Sequence, residues 1–381
     1  MGAAAGRCAE LMISHYKPAS ALRRCPIHCA DIWTPRYGVW RGDATRCQGQ
    51  HSGVPMRRSN HSRRIAAALI AIAAGASACA AAAPYRGPIV DVHVHVAGVT
   101  ADGDVDWYKP MPPNPYTGMP TEKFGNEDQL LRYLFDELKR NRVVVAVVSN
   151  TSYHVNRAAK AYPEMVLPAL ALAPGEPYNY GVNEVRNEIR AGRVKVLGEV
   201  FPQFYGRRIT DPAMESYYAL AEEMDVPIGI HTGVAAAASE IEASGLRSAF
   251  RGDFGNPAGL EDVLKRHPKL RLYLMHAGHP YFSETYAILQ SYPNVYVDLA
   301  YISANLPRKE FRRYVQTLIE AIPGMDKRLM FGSDVMVWRE SIRESIEAID
   351  SLDFLTPAQK ADIFCNNAAR FLRLDAHTCV Q

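Results

Sequence analysis

The chain has 381 residues, 48% of them hydrophobic, enough for one large domain or two smaller ones. Its net charge of +3 conceals two parts: the first 64 residues carry 11 Lys and Arg against 3 Asp and Glu, which leaves 32 basic against 37 acidic residues in the remainder. A mildly acidic body offers no nucleic-acid surface, and seven cysteines, four of them before residue 50, make no disulfide framework.

Residues 1–55 show no sustained hydrophobic period and scatter Arg, Pro, Cys and His, so they read as a non-native or disordered extension. Cys25-x-x-x-Cys29 with His28 lacks the second spaced pair that a zinc knuckle needs. Met56-Arg57-Arg58 opens a basic stretch that runs to Arg64, and an apolar, Ala-rich run follows from Ile65 to Ala78. That run is too short to span a bilayer comfortably, and small residues follow it. Residues 56–83 therefore read as a signal peptide, with Met56 the natural start and residues 1–55 the product of a misplaced one. Ala76-Ser77-Ala78-Cys79 also resembles a bacterial lipobox, although Ala76 stands where a large aliphatic residue is usual; on that reading Cys79 is the lipid anchor. The expected location is the bacterial periplasm, or the membrane as a lipoprotein. A competing reading makes the Ala-rich run a helix packed on the body.

From residue 84 to 381 the pattern is strand, then helix, repeated. Eight apolar runs stand out: Ile89–His95, Val143–Ser149, Val166–Leu172, Val194–Val200, Val226–His231, Leu270–His276, Val295–Leu299 and Leu329–Asp334. They lack clean polar alternation, as parallel strands buried on both faces should. Amphipathic stretches lie between them, among them Asn126–Arg140, Tyr180–Ala191, Ala213–Met224, Leu260–His267, Lys309–Ala321 and Arg339–Asp350. Eight such units in about 280 residues predict an α/β fold, a (β/α)8 TIM barrel. A doubly wound open sheet is the runner-up, but no Gly-rich phosphate loop follows the first strand. The Pro- and Gly-rich stretch Val99–Gly125 falls after that strand, on the face where barrel active sites lie.

The polar residues gather at the strand ends. His93 and His95 close the first strand, and residues two apart on a strand share a face. Glu199 closes the fourth, His231 the fifth, His276 the sixth and Asp334 the eighth. In a closed barrel these ends converge on one mouth. Alone, each residue reads as a core histidine or a helix cap. Together, four imidazoles and two carboxylates are costly to bury unpaired and form a metal site by ligand type.

With these residues in view, the body resembles the amidohydrolase superfamily, closest to its amidohydrolase-related group that includes aminocarboxymuconate semialdehyde decarboxylase. The resemblance rests on His93-Val94-His95, on His231 and His276, on Gly332-Ser333-Asp334 and on the tail Asn366-Asn367-Ala368-Ala369-Arg370-Phe371-Leu372, and covers roughly residues 88–375. It implies Zn2+ or another divalent metal, as one or two ions. In a one-ion site His93, His95, Asp334 and His231 bind it, and His276 polarises the substrate. In a two-ion site His231 and His276 hold the second ion, and a carboxylate or carbamylated lysine bridges. Gly198-Glu199 is similar to the same position of TatD-like nucleases and places Glu199 as the bridge. Lys195, four residues earlier, reads as a buried or bottom-face lysine.

The expected reaction is hydrolysis of an amide, lactone or ester of a small organic substrate by metal-bound hydroxide, with Asp334 and His276 as the catalytic residues. Single-metal, non-oxidative decarboxylation and a non-catalytic metal-binding barrel are the alternatives. Asp298 either orients a ligand histidine or caps a loop. Trp107, Tyr108, Phe201, Tyr205, His279, Tyr301 and Trp338 offer an aromatic mouth, and Arg207, Arg208 and Arg251 are candidate anion contacts. The expected partners are a small-molecule substrate, a lipid on Cys79 and a second copy of the chain in a homodimer.

Overall fold

The computed structural model describes residues 84–96, 113–114, 117–118, 120, 124–175, 177–233, 249–336 and 338–380. The chain separates into two units, residues 1–74 and 75–381, and every described residue belongs to the second. The expected extension 1–55, the signal peptide 56–83 with Cys79, and Trp107 and Tyr108 lie outside the described residues.

Eight strands form one sheet in the order in which they occur in the chain: β1 (Ile89–His95), β2 (Val143–Asn150), β3 (Val166–Leu172), β4 (Val196–Val200), β5 (Ile228–His231), β6 (Leu272–Met275), β7 (Tyr296–Asp298) and β8 (Leu329–Met330). Every neighbouring pair from β1·β2 to β7·β8 is parallel. The last step back to the first is made just beyond β8: Val92 N–H donates to Phe331 O (3.0 Å), Asp334 N–H to His93 O (2.9 Å) and His95 N–H to Val335 O (2.9 Å). This is the (β/α)8 barrel. Each expected run contains a strand, but the later strands are shorter. The residues after Met330 leave the regular ladder because Ser333 and Asp334 turn to side-chain and backbone partners at the mouth.

The helices follow the expected stretches. The first, α1 (Glu127–Arg140), is capped by Asn126, whose Oδ1 accepts from Gln129 N–H at 3.0 Å; it opens on Glu127 and Asp128 and ends on Lys139 and Arg140, as the helix dipole favours. Its Leu130, Leu131, Leu134, Phe135 and Leu138 are buried, and α2 (Ser152–Ala161) follows β2. After these come α3 (Val182–Arg190), α4 (Pro212–Glu223), α5 (Leu260–Arg266), α6 (Phe282–Ser291), α7 (Arg308–Ala321) and α8 (Glu340–Asp350). Among the described residues no helix is long and apolar enough to cross a membrane.

A compact apolar cluster joins Val90, Val92, Val147, Ala169, Val196, Tyr273, Met275 and Met330 to Cys365, Ala368 and Phe371 of the C-terminal segment. Gly229 makes room for Tyr273 in it, since a Cβ there would lie 2.4 Å from the tyrosine ring. Phe331 N–H donates to Ile363 O at 2.8 Å, and Cys365 forms a disulfide with Cys379, so the two cysteines of the body are paired.

Candidate metal centre

All six expected ligands come together at the carboxyl ends of the strands, and three groups of them lie close enough to hold a metal ion. The first half of the site is built on β1 and the turn after β8. His93 Nε2 and His95 Nε2 are 3.2 Å apart, which is what alternation along β1 requires of residues sharing a face. Asp334 Oδ1 lies 3.4 Å from His93 Nε2 and 3.1 Å from His95 Nε2. Gly332 allows this approach: a Cβ there would lie 3.1 Å from His93 Cβ and 2.9 Å from Ala300 Cβ.

The second half is built on β5 and β6. His276 Nε2 lies 3.2 Å from His231 Nδ1. Glu199, from β4, faces both halves. Its Oε2 is 3.5 Å from His95 Nε2 and 3.8 Å from His93 Nε2, whereas its Oε1 contacts His231 Nδ1 and lies 3.3 Å from His276 Nε2. Ser149 of β2 holds the glutamate in place, accepting from Glu199 N–H at 2.7 Å and donating to Gly198 O at 2.6 Å.

Asp298 fills both of its expected roles: Oδ2 bonds to His93 Nδ1 at 3.1 Å, and Oδ1 caps the following turn by accepting from Ala300 N–H at 3.1 Å. A carboxylate can only accept here, so in a neutral His93 the proton sits on Nδ1 and the bare Nε2 lone pair faces the cluster. Four Lewis-basic atoms, His93 Nε2, His95 Nε2, Asp334 Oδ1 and Glu199 Oε2, then surround one point. Lone pairs facing one another at these distances need a cation, and nitrogen and carboxylate oxygen suit a divalent ion. His231 Nε2 is buried and has no hydrogen-bond partner among the described residues.

The electrostatics agree. Burial opposes ionisation of Glu199, but His231, His276 and His93 outweigh it and hold the carboxyl well below its usual range. Burial likewise opposes ionisation of Asp334, and His93, His95 and His276 again prevail and lower it. His231 is lowered by burial. His93 is raised well above the usual value because Asp334, Asp298 and Glu199 overcome the cost of burying its charge. The site thus holds two carboxylates ionised out of water, and the positive charge they require comes from the His93 imidazolium or from a cation that takes its place. His276 (φ 60°), Tyr301 (φ 63°) and Asp334 (φ 52°) have positive φ, which costs roughly 1–3 kcal/mol per residue; Arg142, Asp225 and Arg373 do so away from the site.

Several residues were not anticipated. Asp91, two before His93, is fully buried; its Oδ1 accepts from His93 N–H (3.1 Å) and Ser333 N–H (3.0 Å) and so ties β1 to the turn carrying Asp334. Burial raises its pKa to about 7. The Asp-x-His-x-His alternation puts it on the ligand face and was the available signal. Phe204 stands edge-on to His231 at 5.2 Å, and Gln203 Nε2 donates to His231 O at 3.1 Å. Nothing in the sequence distinguished them from packing residues.

The aromatic and arginine candidates divide. Tyr301 stands edge-on to His276 at 5.8 Å. Phe201 is buried against Tyr178, and Tyr205 lies 6.2 Å from it, in an aromatic cluster that reaches His231 through Phe204. Trp338 is buried. His279, after β6, pairs with Glu310 (3.5 Å) and meets Tyr314 of α7 edge-on at 5.2 Å. Lys195 is exposed ahead of β4, at the bottom face of the barrel. Arg207 pairs with Asp211 (3.5 Å), Arg208 with Asp253 (3.6 Å), and Arg251 donates to Phe250 O (2.9 Å).

A barrel whose strand ends gather histidines and carboxylates able to hold a divalent ion defines a class of metal-dependent (β/α)8 enzymes. The profile of the amidohydrolase family matches residues 90–374, and the chain belongs to that family. Among solved structures it is similar to an uncharacterized TIM-barrel protein from Bordetella bronchiseptica (18% identity, TM-score 0.53, 75% of this chain and 99% of that one). It is also similar to a probable 2-pyrone-4,6-dicarboxylic acid hydrolase from Acinetobacter baumannii, solved with citric acid bound (13% identity, TM-score 0.51, 75% and 99%). A third is 5-carboxyvanillate decarboxylase from Sphingomonas paucimobilis (14% identity, TM-score 0.50, 76% and 100%). At these identities the likeness is one of fold. Among curated proteins, Protein fluG of Emericella nidulans is 27% identical over 108 residues, which spans 28% of this chain and only 11% of that protein.

Proposed function

We propose that the protein is a metal-dependent hydrolase of small organic amides, lactones or esters, with His93, His95 and Asp334 as one ligand set, His231 and His276 as a second, and Glu199 as the bridge. One observation carries this reading: the two oxygens of Glu199 face two different histidine pairs. Zn2+ or another divalent ion bound there supplies Lewis acidity that brings the pKa of a water towards neutrality. Asp334 keeps Oδ1 towards His93 and His95, which leaves Oδ2 to take a proton from the attacking water. The water oxygen bonds to the substrate carbonyl carbon, and the bond to nitrogen or alkoxide oxygen breaks. Asp334 then returns the proton to the leaving group. His276 polarises the carbonyl or binds the second ion. Phe204 and Tyr301 offer apolar walls for a small substrate.

A second reading, single-ion non-oxidative decarboxylation, is favoured by one contact. His93, His95 and Asp334 are a sufficient set alone, and the Glu199 to His231 bond would then be purely a hydrogen bond. Metal content separates the two. The hydrolase reading expects two ions per chain, one of them lost in Glu199→Gln, and metal-restored turnover of an amide or lactone panel. One ion, unchanged in Glu199→Gln, would favour decarboxylation instead.

We further propose export to an oxidising compartment. The basic then apolar segment 56–83 supports it, as does the pairing of Cys365 with Cys379, since structural disulfides persist outside the cytosol. Sizing of native protein from a periplasmic fraction, with N-terminal sequencing, would test export, lipidation at Cys79 and dimerisation together.

A further inference from the structure

Asp298 is fully buried at the end of β7, and each of its oxygens has a separate task. Oδ2 meets His93 Nδ1 at 3.1 Å. Oδ1 accepts from His276 N–H (2.8 Å) and from Ala300 N–H (3.1 Å). The second pair of bonds shapes the turn 298–300 and sets Ala300 O 3.3 Å from His276 Nδ1. A carbonyl oxygen, like a carboxylate, accepts only, so both imidazoles are asked for the same tautomer: proton on Nδ1, lone pair on Nε2. Both Nε2 atoms are the ones that face the ligand clusters, His93 towards His95 and Asp334, His276 towards His231 and Glu199.

We infer that Asp298 is the positioning residue that presents Nε2 of both His93 and His276 as a ligand, directly for the first and through Ala300 O for the second. One carboxylate from β7 thereby coordinates the readiness of histidines on β1 and β6. This rests on the metal-centre reading above and deepens it.

Asp298→Asn tests the inference because it is isosteric and inverts one contact. Its amide oxygen can keep accepting from His276 N–H and Ala300 N–H, which directs the NH2 group at His93 Nδ1. That nitrogen must then accept, so the proton moves to Nε2 and blocks the ligand lone pair. Titration of the metal-stripped full chain with Co2+, followed by visible absorption, should show affinity about 10–100-fold weaker than wild type and an altered ligand-field spectrum. Circular dichroism of the metal-free variant should match that of metal-free wild type. Nitrogen-15 NMR of the Zn2+-loaded wild-type imidazoles, with His93 assigned through His93→Gln, should show the proton on Nδ1 and none on Nε2. Asp298→Asn binding Co2+ with wild-type affinity and spectrum would overturn this inference alone. A wild type that takes up no metal would overturn the proposed function and this inference with it. If Asp298→Asn fails to fold, the NMR decides: a proton on Nε2 of His93 in the Zn2+-loaded wild type refutes the assignment.

Discussion

The two ends of the barrel bury polar groups on different terms. At the amino ends of the strands the chain satisfies its own charges. Arg328, just ahead of β8, donates to Leu289 O (2.9 Å), Tyr292 O (3.2 Å) and Val295 O (3.3 Å). Lys360 bonds to Asp350, whose carboxylate also accepts from Tyr85 N–H at 3.1 Å. Asn367 Nδ2 donates to Asp326 O (2.8 Å) and Leu329 O (2.7 Å), and the disulfide locks the tail beside it. At the carboxyl ends, imidazole nitrogens and carboxylate oxygens face each other at 3.1–3.8 Å. The first arrangement is complete from the chain's own atoms. The second becomes favourable when a cation joins it, and that asymmetry separates an end that holds the fold from an end that does chemistry.

If the contrast is right, perturbations of each end should leave the other intact. The largest effect is expected for Asp334→Asn, which should lower kcat by about 100- to 10,000-fold while the melting curve of the metal-free protein stays cooperative. Turnover and differential scanning calorimetry check both halves, and equal loss of stability and activity would break the comparison. At the other end, Cys365→Ser with Cys379→Ser opens a short loop and should cost about 3 kcal/mol of stability by denaturant titration, with kcat per folded molecule unchanged.

The smallest effect concerns the surface pair of Glu215 and Arg266. Arg266 and His267 hold Glu215 below the usual carboxylate range against the opposing effect of burial. A depressed folded pKa contributes stability above the unfolded pKa and loses it as pH falls through the folded value. Glu215→Gln should therefore lower the melting temperature slightly near neutral pH and not at all in strong acid. Exposure and salt screening keep that difference below the disulfide's.

The strand ends carrying the ligands were legible because strand and ligand lie in one short word. Ile89-Val90-Asp91-Val92-His93-Val94-His95 states both a buried parallel strand and two histidines on one face. His279 also follows β6 in sequence, but its partner Glu310 was not legible there, because the turn after His276 sets the contact. Asp91 stands on the ligand face of β1, which the alternation shows, but its partner Ser333 is distant in sequence, as Glu199 is from Ser149, and that distance hid both roles.

The sequence by itself determined which elements form, their parallel order and which side chains stand at the strand ends, since hydrophobic period and strand-helix alternation are local properties. Only the tertiary structure decided how those ends relate. Barrel closure split the two oxygens of Glu199 between two histidine pairs and carried Asp298 to His93, and the fold of the C-terminal tail brought Cys365 to Cys379. Each of those outcomes depends on a distance between strands or helices, and no period along one chain segment encodes such a distance.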